Sequence, residues 1–363
     1  GIRAAAGTLL GMESAFMFAL VLLLTGVLAR LALIQGLGDA PRGNTKGRKP
    51  QRTPVPFVGG TALLAALVVA AVTFGDAQLI DPLGWFGVAG EAPGLGRSLL
   101  WASVLGAFGV GLLDDLLPEG LAPRPKVCGQ LLASLPFAFL CAQTFGPGVA
   151  LWSGLPGVGA AIAAALVTSF LVLVAMNVVN TFDNFDGALA GVGAVGFLMA
   201  APALAAGLAG FLPWNLNAEP LGSKQQRDAG ACPSSYLGDS GSHLLGFLAL
   251  IHPLAWGLLL VPTLDISRLS LLRWRTGSAP WVGDSRHLAQ DLGRRGWSRR
   301  QVALVLALAA LPASLGVWFA QPDRVEDTQA GVLATISWGP GIAGVGVSLL
   351  IVMALWRLPE PRV

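Results

Sequence analysis

The sequence predicts an all-α, polytopic helical membrane protein with about nine apolar spans, and three observations predict it. Of 363 residues, 54% are apolar and only 12% are charged, about half the charge of an ordinary soluble domain. Mean hydropathy is +0.68. Apolar stretches of about 20 residues, the length that crosses a bilayer, recur from end to end. A single soluble domain, a disordered chain and a disulfide scaffold are excluded. So is an outer-membrane barrel, whose strands are short and alternating.

The spans fall at 13–35, 57–75, 98–113, 127–145, 157–176, 188–213, 243–264, 301–320 and 331–356. The first is too long for a signal peptide and leads straight into further spans. The chain opens on Gly1, as a processed or truncated chain would. Its 48 glycines suit helices that approach closely in lipid. Trp85, Trp152, Trp214 and Trp338 stand near the ends of apolar runs, where amphipathic rings favour the interface. Cys128, Cys141 and Cys232 form no CxxC, which indicates neither a disulfide framework nor a zinc site.

The connecting segments alternate in charge. Arg42, Lys46, Arg48, Lys49 and Arg52 fall in 36–56, and eight arginines fall in 265–300, while 146–156 carries no charge. The positive-inside bias therefore assigns 36–56, 114–126, 177–187 and 265–300 to the cytoplasm. For most of these arginines topogenesis is explanation enough. No stacking aromatics are interleaved among them, so a nucleic-acid partner is not expected; the partner indicated is the lipid bilayer.

Ionisable groups at membrane depth are costly and tend to be functional. Asp114 and Asp115 follow a span, Asp183 and Asp186 lie in NVVNTFDNFDG (177–187), Asp239 lies in YLGDSGS (236–242), and Asp265 ends a span. Carboxylates with Asn groups suit Mg²⁺, which keeps waters and borrows phosphate oxygens. Taken singly, each motif has a plain structural reading. A DD pair caps a helix, GDSGS makes a turn, and Asn177 and Asn180 bond between helices. Their combination, in this order on a polytopic chain, is the specific signal.

Those motifs carry a resemblance. RKPQRTPVPFVGG (48–60), GLLDDLLPEGLAPRPKVCGQ (111–130), NVVNTFDNFDGALAG (177–191), GFLPWNLNAEP (210–220), YLGDSGSHLLGF (236–247) and the stretch 264–301 resemble the polyprenyl-phosphate N-acetylhexosamine-1-phosphate transferases. The second and last segments are closer to the GlcNAc-1-phosphate branch than to the peptidoglycan enzyme. The resemblance implies transfer of a sugar-1-phosphate from a UDP-sugar to undecaprenyl or another polyprenyl phosphate. UMP is released, with Mg²⁺ (or Mn²⁺) as cofactor, at the cytoplasmic face of the plasma membrane. It implies Asp239 and Asp114 as metal ligands and Asp114, Asp115, Asp183 and Asp186 as catalytic acids. Lys49, Lys126, Asn177, Asn180, Arg286 and His287 become substrate-binding residues. A homodimer is compatible with the sequence.

Two features depart from the family pattern. Ala289 and Gln290 stand where further histidines follow the first, leaving the sugar open. Only the 26 residues from Ala188 to Pro213 and the 22 from His243 to Leu264 are available, where two crossings each are expected. Simple counting therefore sends 214–242, with Asp239, to the opposite side from every other motif. Breaks at Pro202 and Pro253 would instead fold both stretches into short hairpins and bring Asp239 back. A shortened, non-catalytic homologue is the rival reading. A transporter is disfavoured because the acids cluster at one surface and no inverted repeat is evident.

Overall fold

The computed structural model describes residues 2–38, 55–75, 93–216, 235–277, 286–320 and 338–358. Among these residues no β-strand occurs. The helices are α1 (Ile2–Ile34), α2 (Gly59–Phe74), α3 (Pro93–Leu116), α4 (Pro123–Ser153), α5 (Gly157–Phe182), α6 (Ala188–Gly196), α7 (Pro202–Asn215), α8 (Gly238–Ile251), α9 (Trp256–Arg275), α10 (Leu288–Arg294), α11 (Arg299–Phe319) and α12 (Trp338–Trp356). Among the described residues, seven helical segments are long and apolar enough to cross a membrane: six within α1, α3, α4, α5, α11 and α12, and a seventh, Pro253–Arg275, that comprises α9 and the turn before it. The protein is a multi-pass helical membrane protein.

Local chemistry sets the helix ends. Proline opens α4, where a missing N–H costs nothing, and Gly154 closes it in the left-handed conformation at φ 69°. A capping box between Ser298 and Gln301 starts α11. Helix α5 shows how the bundle sorts its surfaces. Val172, Met176, Val179 and Phe182 are buried, while Leu166 and Phe170 are exposed, as a helix packed on one side and facing lipid on the other requires.

Two of the nine expected spans are not single helices. The stretch 188–213 splits into α6 and α7, and 243–264 is divided between α8 and α9. Proline causes both breaks. Its ring excludes the preceding residue from helical conformation: Ala201 before Pro202 sits at φ −147°, ψ 79°, and His252 before Pro253 at φ −101°, ψ 99°. Helices of 9, 14 and 14 residues result. At 1.5 Å per residue the longer ones reach about 21 Å, short of a hydrocarbon core about 30 Å thick.

The count that sends 214–242 to the far side therefore fails. Helix α7 packs back along α6 and returns the chain to where α6 began. Asn215, at the end of α7, accepts from Gly187 N–H at 2.5 Å and donates to Ser235 O at 3.1 Å. Tyr236 and Leu237 then bond the start of α2 through Gly59 N–H (3.0 Å) and Gly60 N–H (2.8 Å). Helix α8 thus starts at the end of the bundle that holds residues 183–187, and α9 comes back to that same end. Helix α8 lies between α3 and α5 and also touches α2.

Cys232 lies outside the described residues, three positions before Ser235. With Cys128 and Cys141 replaced, and with the basic segments cytoplasmic, an impermeant maleimide should label Cys232 only after cells are permeabilised. Labelling from outside intact cells would contradict the hairpin arrangement.

Candidate active site

Four segments distant in sequence converge where α8 begins. Asp114 and Asp115 end α3, Lys126 stands in the first turn of α4, Asn180 lies near the end of α5, and Asp239 is the second residue of α8. The convergence requires backbone contact. A Cβ on Gly111 would lie 2.3 Å from Asp239 O and 2.5 Å from Ser240 N, and one on Gly60 would lie 2.3 Å from Gly241 N. Only glycine at both positions lets α2 and α3 close on the first turn of α8.

The carboxylates have distinct occupations. Asp115 accepts from the backbone N–H of Asp239 at 2.8 Å and of Ser240 at 2.9 Å. It caps a helix that lies 124 residues further along the chain, satisfying donors that helix geometry leaves orphaned. Asp114 accepts from Leu121 N–H at 2.8 Å and lies 3.3 Å from Lys126 Nζ. Asp239 Oδ2 takes Lys126 Nζ at 2.5 Å and Asn180 Nδ2 at 3.1 Å. Burial acts to raise the Asp239 carboxyl; hydrogen bonding with Asp114 and the Lys126 ammonium prevail and lower it to about 2. Asp239 is therefore held ionised.

The remaining sequence candidates lie around this centre. Asp183 caps the end of α5. Asp186 pairs with Arg299 Nε of α11 at 3.0 Å. Asn177 is engaged elsewhere, donating to Leu173 O at 2.8 Å and to Gln130 Oε1 at 2.9 Å. The carbonyl of Arg286 accepts from Arg268 at 2.9 Å, and His287 Nδ1 lies 2.7 Å from Asp265 Oδ2. Lys49 lies outside the described residues.

Sequence reasoning passed over several of their partners. Gln130 Nε2 lies 2.8 Å from His243 Nε2. Because Gln130 Oε1 already accepts from Asn177, its amide donates, and His243 carries its proton on Nδ1, which is buried with no hydrogen-bond partner. One signal for His243 was available: it follows Asp239 by four residues, one helical turn along the same face. Arg268 and Arg299 sat unnoticed among arginines that topogenesis already explained.

Among the described residues no group of three His, Cys, Asp or Glu is set to hold a metal. The cap made by Asp115 explains this, since it withdraws one carboxylate and leaves Asp114 and Asp239. Two carboxylates are what a Mg²⁺ site needs when waters and substrate phosphates complete the shell. The donor set fits that ion.

A multi-pass helical bundle with this acid, amide and lysine cluster defines a membrane protein with a charged centre at one end of the bundle. Residues 98–256, which contain every member of the cluster, match the model for glycosyl transferase family 4. The chain is 27% identical to an undecaprenyl-phosphate alpha-N-acetylglucosaminyl 1-phosphate transferase of Yersinia pestis, over 83% of this chain and 81% of the relative. It is 26% identical to a decaprenyl-phosphate N-acetylglucosaminephosphotransferase of Mycobacterium tuberculosis, over 86% and 82%. An undecaprenyl-phosphate alpha-N-acetylglucosaminyl 1-phosphate transferase of Escherichia coli K12 is 26% identical over 78% and 76%. The family match and these relatives all support a likeness to glycosyl transferase family 4.

Substituting Asp115→Ala should cost about 1 kcal/mol of stability, as loss of a helix cap does, whereas Asp239→Asn should leave the melting temperature nearly unchanged. Gly111→Ala should both lower the melting temperature and abolish activity, because its Cβ has no room. Thermal unfolding of the purified variants checks all three; a wild-type Gly111→Ala protein would contradict the close approach.

Proposed function

We propose that the protein transfers GlcNAc-1-phosphate, or another N-acetylhexosamine-1-phosphate, from a UDP-sugar to undecaprenyl or another polyprenyl phosphate, releasing UMP. The observation that carries this reading is the junction of Asp114, Lys126, Asn180 and Asp239 at one point. It gathers three motifs of the resemblance, otherwise far apart in the chain, into a single phosphate-handling centre. The names of the relatives supply the acceptor and the sugar.

The reaction joins two anions. An oxygen of the lipid phosphate bonds to the sugar-bearing phosphorus, the bridging P–O bond breaks, and UMP leaves with the electron pair. A phosphate monoester is largely ionised near neutral pH, so the barrier is charge repulsion more than deprotonation. Asp114 and Asp239 would hold Mg²⁺, which when bound supplies positive charge to phosphate oxygens. Lys126 sits in the first turn of α4 with its ammonium between the same carboxylates, positioned to meet an incoming phosphate. Asn180 fixes the Asp239 carboxylate by its hydrogen bond. Asp186, tied to Arg299, holds the turn that follows α5 against α11.

The acid-bearing end also carries Arg268, Arg273 and Arg275 on α9 and Arg294 and Arg295 at the end of α10. By the positive-inside bias that end faces the cytoplasm, and the membrane is the plasma membrane.

Purified protein with undecaprenyl phosphate, Mg²⁺ and UDP-GlcNAc should release UMP. EDTA should stop it, and Asp239→Asn should slow it about 10²–10³-fold or more, the scale for removing one preorganised electrostatic contact. A panel of UDP-sugars names the donor. No release from any sugar by folded, monodisperse protein would overturn the transferase reading.

A further inference from the structure

Asp265 is completely buried on α9, and a buried polar group is retained at a cost that apolar packing would avoid. Its two oxygens are both engaged by the segment that follows α9 in sequence. Oδ2 lies 2.7 Å from His287 Nδ1, and Oδ1 accepts from Leu288 N–H at 2.8 Å. One turn further along α9, Arg268 donates to Arg286 O at 2.9 Å and pairs with Asp291 at 3.2 Å. Helix α9 thus holds residues 286–291 at two points.

That segment is set against the turn that leads out of the acid centre. Gln290 Nε2 reaches Asn184 O at 3.5 Å, Gly293 of α10 packs against the Phe185 ring, and Arg299 pairs with Asp186. Asn180, one turn before Asn184, holds Asp239. His287 therefore belongs to a wall that continues from the phosphate-handling centre along residues 183–187. A nucleotide-sugar whose diphosphate lies at that centre must extend its remaining groups along some such wall.

We propose that Asp265 is a positioning residue for the nucleotide-sugar: it holds the His287 ring proton at Nδ1 and so presents Nε2 as an acceptor to an O–H or N–H of the donor substrate. This rests on the transferase reading and deepens it. Arg268 could by itself dock the segment, so docking alone leaves the buried carboxylate unexplained; fixing an imidazole tautomer accounts for it.

Asp265→Asn separates the two roles. Its carbonyl can still accept from Leu288 N–H, so the mount survives, but its amide donates to Nδ1 and moves the ring proton to Nε2, reversing what His287 offers. In the full-length protein, Asp265→Asn and His287→Ala should each raise KM for UDP-GlcNAc about tenfold, the scale of one lost hydrogen bond. KM for undecaprenyl phosphate should stay within about twofold, and the double variant should be no worse than His287→Ala, as residues acting as one unit require. A wild-type KM in either single variant, equal effects on both substrates, or additive effects in the double variant would overturn the proposal. If Asp265→Asn does not fold, Asp265→Glu replaces it, keeping the acceptors but moving the ring; an unchanged KM overturns the proposal there too. Wild-type protein that releases no UMP defeats the transferase reading instead. Calorimetric binding of UDP-GlcNAc to the same proteins then decides on Asp265, with equal affinities or no binding overturning it.

Discussion

The site depends on two hydrogen bonds, from the backbone N–H groups of Asp239 and Ser240 to the carboxylate of Asp115. The first turn of any helix has N–H groups without intrahelical partners, and burying them unpaired is costly. The first turn of α8 is buried between α2, α3 and α5, where glycines bring backbone against backbone. Asp115 resolves that problem and in doing so fixes where Asp239 must stand. Its position beside Asp114 in sequence then becomes a spatial rule: the residue that binds the helix and the residue that faces the site leave α3 together.

That arrangement sets the electrostatics. Asp114 and Asp239 share one ammonium, that of Lys126, so the acidic groups outnumber the cation at the centre. Such a centre repels phosphates on its own. It attracts cations, and the proposed Mg²⁺ would reverse the sign of the local field where two phosphate groups have to approach each other. Acidic residues in a phosphate-handling site are thus intelligible as the means of recruiting positive charge, with Lys126 supplying part of it permanently.

Much of this was legible in the sequence. Hydropathy shows the class of fold, and the acids near span ends mark the centre, because charge is expensive in a bilayer and stands out against an apolar background. Asp239 joins Asp114, as the motif order implies. Partnership was not legible. Whether Asp115 turns to a metal or to a backbone, or Asn177 to a substrate or to Gln130, depends on side-chain direction across helices, which one sequence does not encode. Span counting failed at 188–213 and 243–264 for a related reason. Hydropathy measures how apolar a stretch is and does not register that a proline inside it has turned the chain round, although Pro202 and Pro253 themselves were visible.

Those turns expose a constraint that the fold also satisfies. Half-length helices end inside the hydrocarbon depth, where irregular backbone is tolerated only under protein cover. Phe197, Ala201, His252 and Ala255 are all buried, and the turns bond internally, Ala201 N–H to Phe197 O and Ala255 N–H to His252 O, at 2.8 Å each. The two breaks also cover each other, with the Phe197 and His252 rings edge to face at 6.2 Å. Two prolines separated by 51 positions thus make one shared interruption, each turn shielding the backbone that the other could not hide alone. Returning Asp239 to the acid end of the bundle follows from that pairing, because neither hairpin would be sheltered in lipid without the other.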